Sequence, residues 1–312
     1  MSGTLGLSDG RAGNARQASA LAEALDANAR MIDLLPRAPW RWLAPRAMPN
    51  SRHAFGARYA EALVNPPTLA IGCGRQAALA TRLLRARGSK AVQILDPRID
   101  LRHWDWVVAP AHDGLRGDNL ITTLGSLHPV DDLWLARARQ EYPASGHLPA
   151  PRIVLLVGGP GRRAALADAG FDALLQRLAA HATREGGSFS AVASRRTPPQ
   201  WREALGLVPA DVPGLRWRDE RDGLNPYPGA LAWADRIVCT PDSVNMLSEA
   251  AATLAPVFAW APDQTRGGPR AFLDALRASG RVRDADQSLD AFNATPLRET
   301  ARVAALLRQR LD

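Results

Sequence analysis

The sequence predicts an α/β protein made of two doubly wound parallel sheets, and three observations lead there. Short apolar runs alternate with helical patterns along most of the chain, which is the rhythm of βαβ units. A polar or glycine-bearing turn follows nearly every run, as where parallel strands end and ligand-facing loops begin. A length of 312 residues favours two domains, each large enough for its own core.

In chain order, Thr4–Leu7 reads as a strand, followed by the turn Ser8-Asp9-Gly10-Arg11-Ala12-Gly13-Asn14. A helix from about Ala15 to Ala27 then carries Leu21, Ala22 and Leu25 on one face. Gly10 and Gly13 suit either close backbone approach to a ligand or a tight capped turn; the spacing is not that of a dinucleotide fingerprint. Residues Arg37–Arg58 are rich in arginine, proline and tryptophan. Their proline spacing forbids one long helix, and Trp40, Arg41 and Trp42 fit an anionic membrane surface, a protein contact, or packing under a surface loop.

Thr68–Ile71, Ala91–Leu95 and Trp106–Ala109 are further strands. They end in Gly72-Cys73-Gly74-Arg75-Gln76, Asp96-Pro97-Arg98 and Pro110-Ala111-His112-Asp113. Leu120–Gly125 is another candidate strand, and Asp131 and Asp132 open a helix to about Gln140. Glu141–Arg152, with three prolines and a glycine, reads as an interdomain linker.

The second series begins with Ile153–Val157 and the loop Gly158-Gly159-Pro160-Gly161-Arg162. Its backbone N–H groups suit a phosphate, but it lacks the Gly-Lys-Ser/Thr ending of a nucleotide-hydrolysing loop. After a helix (about Asp172–Arg184) and the strand Phe189–Ala193 comes Ser194-Arg195-Arg196-Thr197-Pro198, where two arginines at a strand end suit an anion. Asn225–Ala251 then holds a short helix, the strand Arg236–Thr240, and the turn Thr240-Pro241-Asp242-Ser243 opening a helix with Met246 and Glu249. Ser243 is placed to cap that helix, and Asp242 is repulsive to a phosphate unless cations offset it. Val257–Trp260 closes the series, and Thr295–Asp312 is an amphipathic helix.

Composition sets limits. With 46% hydrophobic and 22% charged residues the chain is of the globular type. No run of about 18 apolar residues exists for a membrane span, and no apolar signal core precedes Arg11, so a cytoplasmic location is expected. Cys73 and Cys239 sit in apolar contexts and read as buried thiols rather than a disulfide or metal site. The net charge is +8, carried almost wholly by dispersed arginines, with Lys90 the sole lysine. No compact basic run favours nucleic acid, whereas a nucleotide or phosphate ligand fits the balance.

The stretch Asn225–Ala251, with Ser194–Pro198, the GCGRQ, DPR and PAHD turns and a glutamine at Gln17, resembles the "elongated mitochondria" family. That family is named after a plant mitochondrial-fission factor, and its bacterial members are labelled nucleoside-diphosphate-sugar epimerase-like. The same stretch is similar to the nucleotide-binding segment of GT-B glycosyltransferases. One departure is Pro129 after Leu127-His128, where the family carries an arginine.

The resemblance implies a GT-B-like architecture: an acceptor-side domain over 1–145, a nucleotide-sugar-binding domain over 150–294, and a helix over 295–312 returning to the first. It implies a nucleotide sugar as donor, no further cofactor and no metal. Gly158, Gly159, Ser194, Arg195, Arg196, Thr197, Asn225, Thr240, Asp242, Ser243, Met246 and Glu249 would hold that donor. Ser8, Gly10, Arg11, Gly13, Asn14, Gln17, Gly72, Gly74, Arg75 and Gln76 would line the acceptor side. Asp113, Asp9 and His112 are the candidates for catalytic base. Glycosyl transfer is the leading expectation; an epimerase and a non-catalytic adaptor are the alternatives.

Overall fold

The computed structural model describes residues 3–285 and 289–311, and its chain divides into two compact units. The first comprises residues up to Pro129 together with those from Arg298 onward; the second runs from Val130 to Leu297. Each holds one six-stranded parallel sheet.

The first unit contains β1 (Thr4–Ser8), α1 (Ala12–Leu25), β2 (Arg30–Asp33), α2 (Trp40–Leu43), α3 (Ala57–Val64), β3 (Leu69–Cys73), α4 (Arg75–Arg85), β4 (Lys90–Ile94), β5 (Trp106–Pro110) and β6 (Leu120–Thr123). Its strand order is β2-β1-β3-β4-β5-β6. The chain steps outward from β1 to β2, then restarts on the other side at β3, so the order reverses between β1 and β3. Central strands are buried along their length because helices cover both faces, which is why they are apolar throughout. The edge strand β2 (Arg-Met-Ile-Asp) is mostly exposed and hides in a polar sequence.

The second unit contains α5 (Asp132–Glu141), α6 (Pro143–Gly146), β7 (Arg152–Val157), α7 (Asp168–Glu185), β8 (Ser188–Ala193), α8 (Pro199–Gly206), β9 (Arg216–Trp217), α9 (Tyr227–Trp233), β10 (Arg236–Cys239), α10 (Val244–Ala251), β11 (Val257–Ala259), α11 (Gly268–Ala278) and β12 (Val282–Asp284). The order is β12-β11-β10-β7-β8-β9, so this sheet reverses between β7 and β10. Phe171, Trp201 and Trp260 anchor its core; the Phe171 and Trp201 rings stack at 4.1 Å. Each such side chain contributes about 1.5–3 kcal/mol when fully buried.

The final helix, α12 (Glu299–Leu311), belongs to the first unit, where Val303, Ala304 and Leu307 pack with Leu21 and Ala22 of α1. It is tied at its start. The Thr300 hydroxyl donates to the His128 carbonyl (2.7 Å) and accepts from the His128 N–H (2.9 Å), while Glu299 accepts from the Leu124 N–H (2.9 Å).

The expected boundary near 145–150 is displaced. α5 and α6 belong to the second unit, packing against α9. Arg139 donates to the Ala232 carbonyl (2.8 Å), and the Arg139 and Arg152 guanidinium groups each lie 5.7 Å from the Trp233 ring centroid. The proline-rich stretch Glu141–Arg152 is therefore a brace around Trp233, and the chain passes between units at Pro129–Val130 instead.

Candidate functional site

In open parallel sheets the carboxyl ends of the two strands flanking an order reversal leave a crevice where ligands bind. In the second unit those strands are β7 and β10, with β8 adjacent to β7. The loops after all three are the ones singled out in the sequence: 158–161, 194–198 and 240–243.

Thr240 and Asp242 link these loops. The Gly158 N–H donates to the Thr240 hydroxyl (2.7 Å), which donates in turn to Asp242 Oδ1 (2.7 Å). Asp242 also accepts from the Gly159 amide, and its Oδ2 lies 2.5 Å from Arg196 Nη2. A Cβ on Gly158 would lie 2.2 Å from that carboxylate, so only glycine allows so close an approach. The side chain of Asp242 is 4% exposed, whereas that of Arg196 is 58% exposed. Burial pushes the Asp242 carboxyl above the ordinary carboxylate range, against the Thr240 hydroxyl and the Arg196 charge, which pull it down. The repulsive carboxylate thus has its cation, but it occupies the loop amides itself.

The neighbouring loop is fixed from within. The Thr197 hydroxyl donates to the carbonyls of Val157 (2.9 Å) and Gly158 (2.7 Å) and accepts from the Ser194 N–H (2.9 Å). Arg195 is exposed. Ser243 caps α10 by accepting from the Met246 N–H (3.4 Å), leaving other first-turn N–H groups toward the crevice. Asn225 caps α9 through the Tyr227 N–H (2.9 Å) rather than reaching these loops by any hydrogen bond found among the described residues. Glu249 is 2% exposed and accepts from the Tyr227 hydroxyl.

Three residues escaped the sequence reading. Tyr227 engages Glu249 across 22 positions, a pairing no local pattern reveals. Arg202, on the first turn of α8, donates to the carbonyls of Thr197 (3.0 Å), Ser194 (2.8 Å) and Arg218; the Pro198-Pro199 helix start was its signal. Arg281, 4% exposed, donates to the carbonyls of Ala250, Ala251, Thr253 and Ala255 and so closes the carboxyl end of α10. Burial holds its guanidinium down to about 10.

In the first unit the reversal lies between β1 and β3, and part of the predicted acceptor-side set meets there. Asp9, with a 5% exposed side chain, accepts from Asn14 Nδ2 (2.9 Å) and from the Arg11 N–H (3.2 Å). Ser8 accepts from the Gly10 N–H (3.2 Å) and donates to Asp33 (2.5 Å). Gly74, at φ +91°, closes on this cluster: a Cβ there would lie 2.5 Å from Asn14 Nδ2. Arg75 and Gln76 begin α4 beside it, with Arg75 exposed. Gly13 lies in the first turn of α1. Two members sit in the interior instead: Gln17 is 5% exposed, and Gly72 packs against Thr81 and Gln93. Burial, then the charge of Asp9, pushes the Cys73 thiol well up, which makes it unreactive.

The candidate bases are not brought together. His112 Nε2 lies 3.9 Å from Asp113 Oδ1 in the turn after β5, and β5 stands three strand spacings from β1, roughly 14 Å. Asp113 is the more open, with a side chain 31% exposed. No group of three or more His, Cys, Asp or Glu side chains suited to a metal ion occurs among the described residues.

Comparison with known proteins adds the family. Among solved structures, the UDP-GlcNAc 2-epimerase of Methanocaldococcus jannaschii matches with a TM-score of 0.52 at 11% identity, covering 99% of this chain and 100% of that one. The wall teichoic acid polymerase TagF matches at 0.51 and 12%, covering 99% and 89%. At these identities the likeness speaks to the fold, a GT-B-like pair of Rossmann-type sheets. The mitochondrial fission protein ELM1 of Arabidopsis thaliana is 30% identical over 283 residues, covering 78% of this chain and 64% of that protein, so the chain spans less than two-thirds of its relative's length. The family model described as Mitochondrial fission ELM1 matches residues 12–311, nearly the whole chain, and the protein belongs to that family.

Proposed function

We propose that the second unit binds a nucleotide sugar and that the protein is a glycosyltransferase needing no metal. One observation carries the reading: the loops after β7, β8 and β10 are joined through Thr240, Asp242 and Arg196 beside the Ser243-capped start of α10, where the sheet order reverses. Such a cradle suits a pyrophosphate. Arg195, Arg196 and the α10 dipole would neutralise the diphosphate as it leaves, which is the charge stabilisation this chemistry needs. The ribose would engage Glu249, exchanging one of its hydroxyls for that of Tyr227. In the first unit the loop after β5 carries Asp113, the more open of the carboxylates there and the candidate for a general base.

The names of the structural relatives, an epimerase and a teichoic acid polymerase, agree with sugar-phosphate chemistry on this fold. A second reading, a non-catalytic interaction protein, draws support from the family and from Asp242 and Tyr227, which already engage the groups a donor would use.

A thermal-shift panel of uridine, guanosine, thymidine, adenosine and cytidine diphosphate sugars separates the two. Binding at 100 times the dissociation constant adds about 2.7 kcal/mol. One member of the panel should raise the melting temperature, and Glu249→Ala should remove most of that rise. A flat response to all five favours the interaction protein.

A further inference from the structure

The chain between β2 and α3 presents an apolar and cationic surface that the nucleotide site does not use. Ten large apolar side chains are exposed among the described residues, and four of them fall within residues 35–48: Leu35 (79%), Trp42 (65%), Met48 (45%) and Leu43 (37%). Their exposure does not come from a loosely held loop. Trp40 packs against the core formed with Phe55 and Tyr59, and its indole donates to the Pro49 carbonyl (3.3 Å). The Arg37 N–H donates to Ala54 (2.8 Å), and the Ser51 hydroxyl bridges the backbone of Met48. With Trp40 held inward on α2, Trp42 points away from it, because side chains two apart on a helical turn face nearly opposite directions.

The charge of this segment is one-sided between the flanking Asp33 and Glu61. From Leu34 to Ala60 the sequence holds Arg37, Arg41, Arg46, Arg52 and Arg58 and no acidic residue. All five arginines are exposed, and none forms an ion pair among the described residues. Elsewhere in the same unit Arg85, Arg98 and Arg102 each hold an aspartate. Five exposed cations in the same short segment as an exposed indole match a bilayer–water boundary. There the indole sits at headgroup level, while the arginine stems lie along apolar surface with their heads among phosphates. No described helix is long and apolar enough to cross a membrane, so attachment of this kind would be to one face.

We propose that residues 35–58 dock the protein on an anionic lipid surface, with Trp42, Leu43 and Met48 entering the headgroup layer and the five arginines engaging lipid phosphates. The inference stands apart from the nucleotide-sugar reading.

Sedimentation of the full chain with vesicles tests it. Vesicles of about one-third phosphatidylglycerol in phosphatidylcholine should pellet the protein at low salt, and pure phosphatidylcholine should not. Replacing Arg37, Arg41 and Arg46 by Gln should weaken binding roughly 100-fold, and Trp42→Ala roughly tenfold. Melting temperatures should not change, since these side chains contact solvent. The proposal is overturned if the parent does not pellet, if both vesicle types pellet it equally, or if the triple variant binds as the parent does. It is also overturned if the protein alone is a dimer that Trp42→Ala dissociates, because a second copy is then the occupant.

Discussion

Replacing Asp242 by Asn tests how the cradle discriminates between ligands. The carboxylate lies on the Gly159 amide, beside Gly158, where a pyrophosphate would sit. Two unit charges 5 Å apart at an effective dielectric of 20 repel by about 3 kcal/mol, a factor of more than 100 in affinity. In the parent the Arg196 guanidinium offsets part of that cost, and protonation of Asp242, which burial favours, removes the rest. Affinity for a nucleotide sugar should therefore rise as pH falls, by up to tenfold per unit, until Asp242 is protonated in the free protein as well. Asn keeps an acceptor for the Gly159 N–H but carries no charge. Its affinity at pH 8 should be about 10–100-fold higher, with the pH dependence flattened.

The same variant carries a stability signature. The folded pKa of Asp242 is raised above its unfolded value, so the native state binds more protons between the two. Stability then falls as pH rises through the folded pKa, and the penalty is full above it. Asp242→Asn should remove that slope, and losing a half-exposed partner in Arg196 costs at most about 1 kcal/mol. Titration calorimetry over the pH range in which the fold persists is the assay, because a sugar diphosphate diester does not itself titrate across it. Equal affinities for parent and variant at pH 8, or parallel pH profiles, would mean that the Asp242 charge does not oppose the ligand.

Gly158→Ala forces a methyl group onto the Asp242 carboxylate and should cost about 1–3 kcal/mol while abolishing nucleotide binding, read by denaturant melts and calorimetry. Thr300→Val removes the hydroxyl that joins the His128 N–H and carbonyl to the start of α12 and should cost about 1–3 kcal/mol, with hydrogen exchange rising first in α12; no change there would mean α12 is held by its apolar face alone. Among Asp9→Asn, His112→Ala and Asp113→Asn, the variant lacking the true base should lose roughly 10²–10⁴-fold in kcat with donor affinity intact; normal turnover in all three would remove general-base catalysis from these loops.

The central strands were legible because burial on both faces makes them unbroken apolar runs, as in Arg152–Val157 and Arg236–Cys239. Edge strands were not: β2 is mostly exposed and β9 has two residues, so neither carries a period. The closing βαβ unit was missed although Phe272, Leu273 and Leu276 of α11 have helical spacing. The loops of the candidate site could be read as polar clusters ending strands. Their pairing could not, since Arg196 and Asp242 meet only because β8, β7 and β10 are neighbours. Proline density around 141–152 suggested an interdomain linker because local sequence does not show that Trp233, some 80 residues on, needs a brace.

Hydrogen–deuterium exchange with and without the nucleotide sugar giving the largest thermal shift shows whether the β7–β10 crevice holds that ligand. Protection should appear in residues 158–161, 194–198 and 240–249 and vanish in the Gly158→Ala protein. Protection confined to other segments, or unchanged exchange in all three loops, would contradict a nucleotide-sugar site at the β7–β10 reversal.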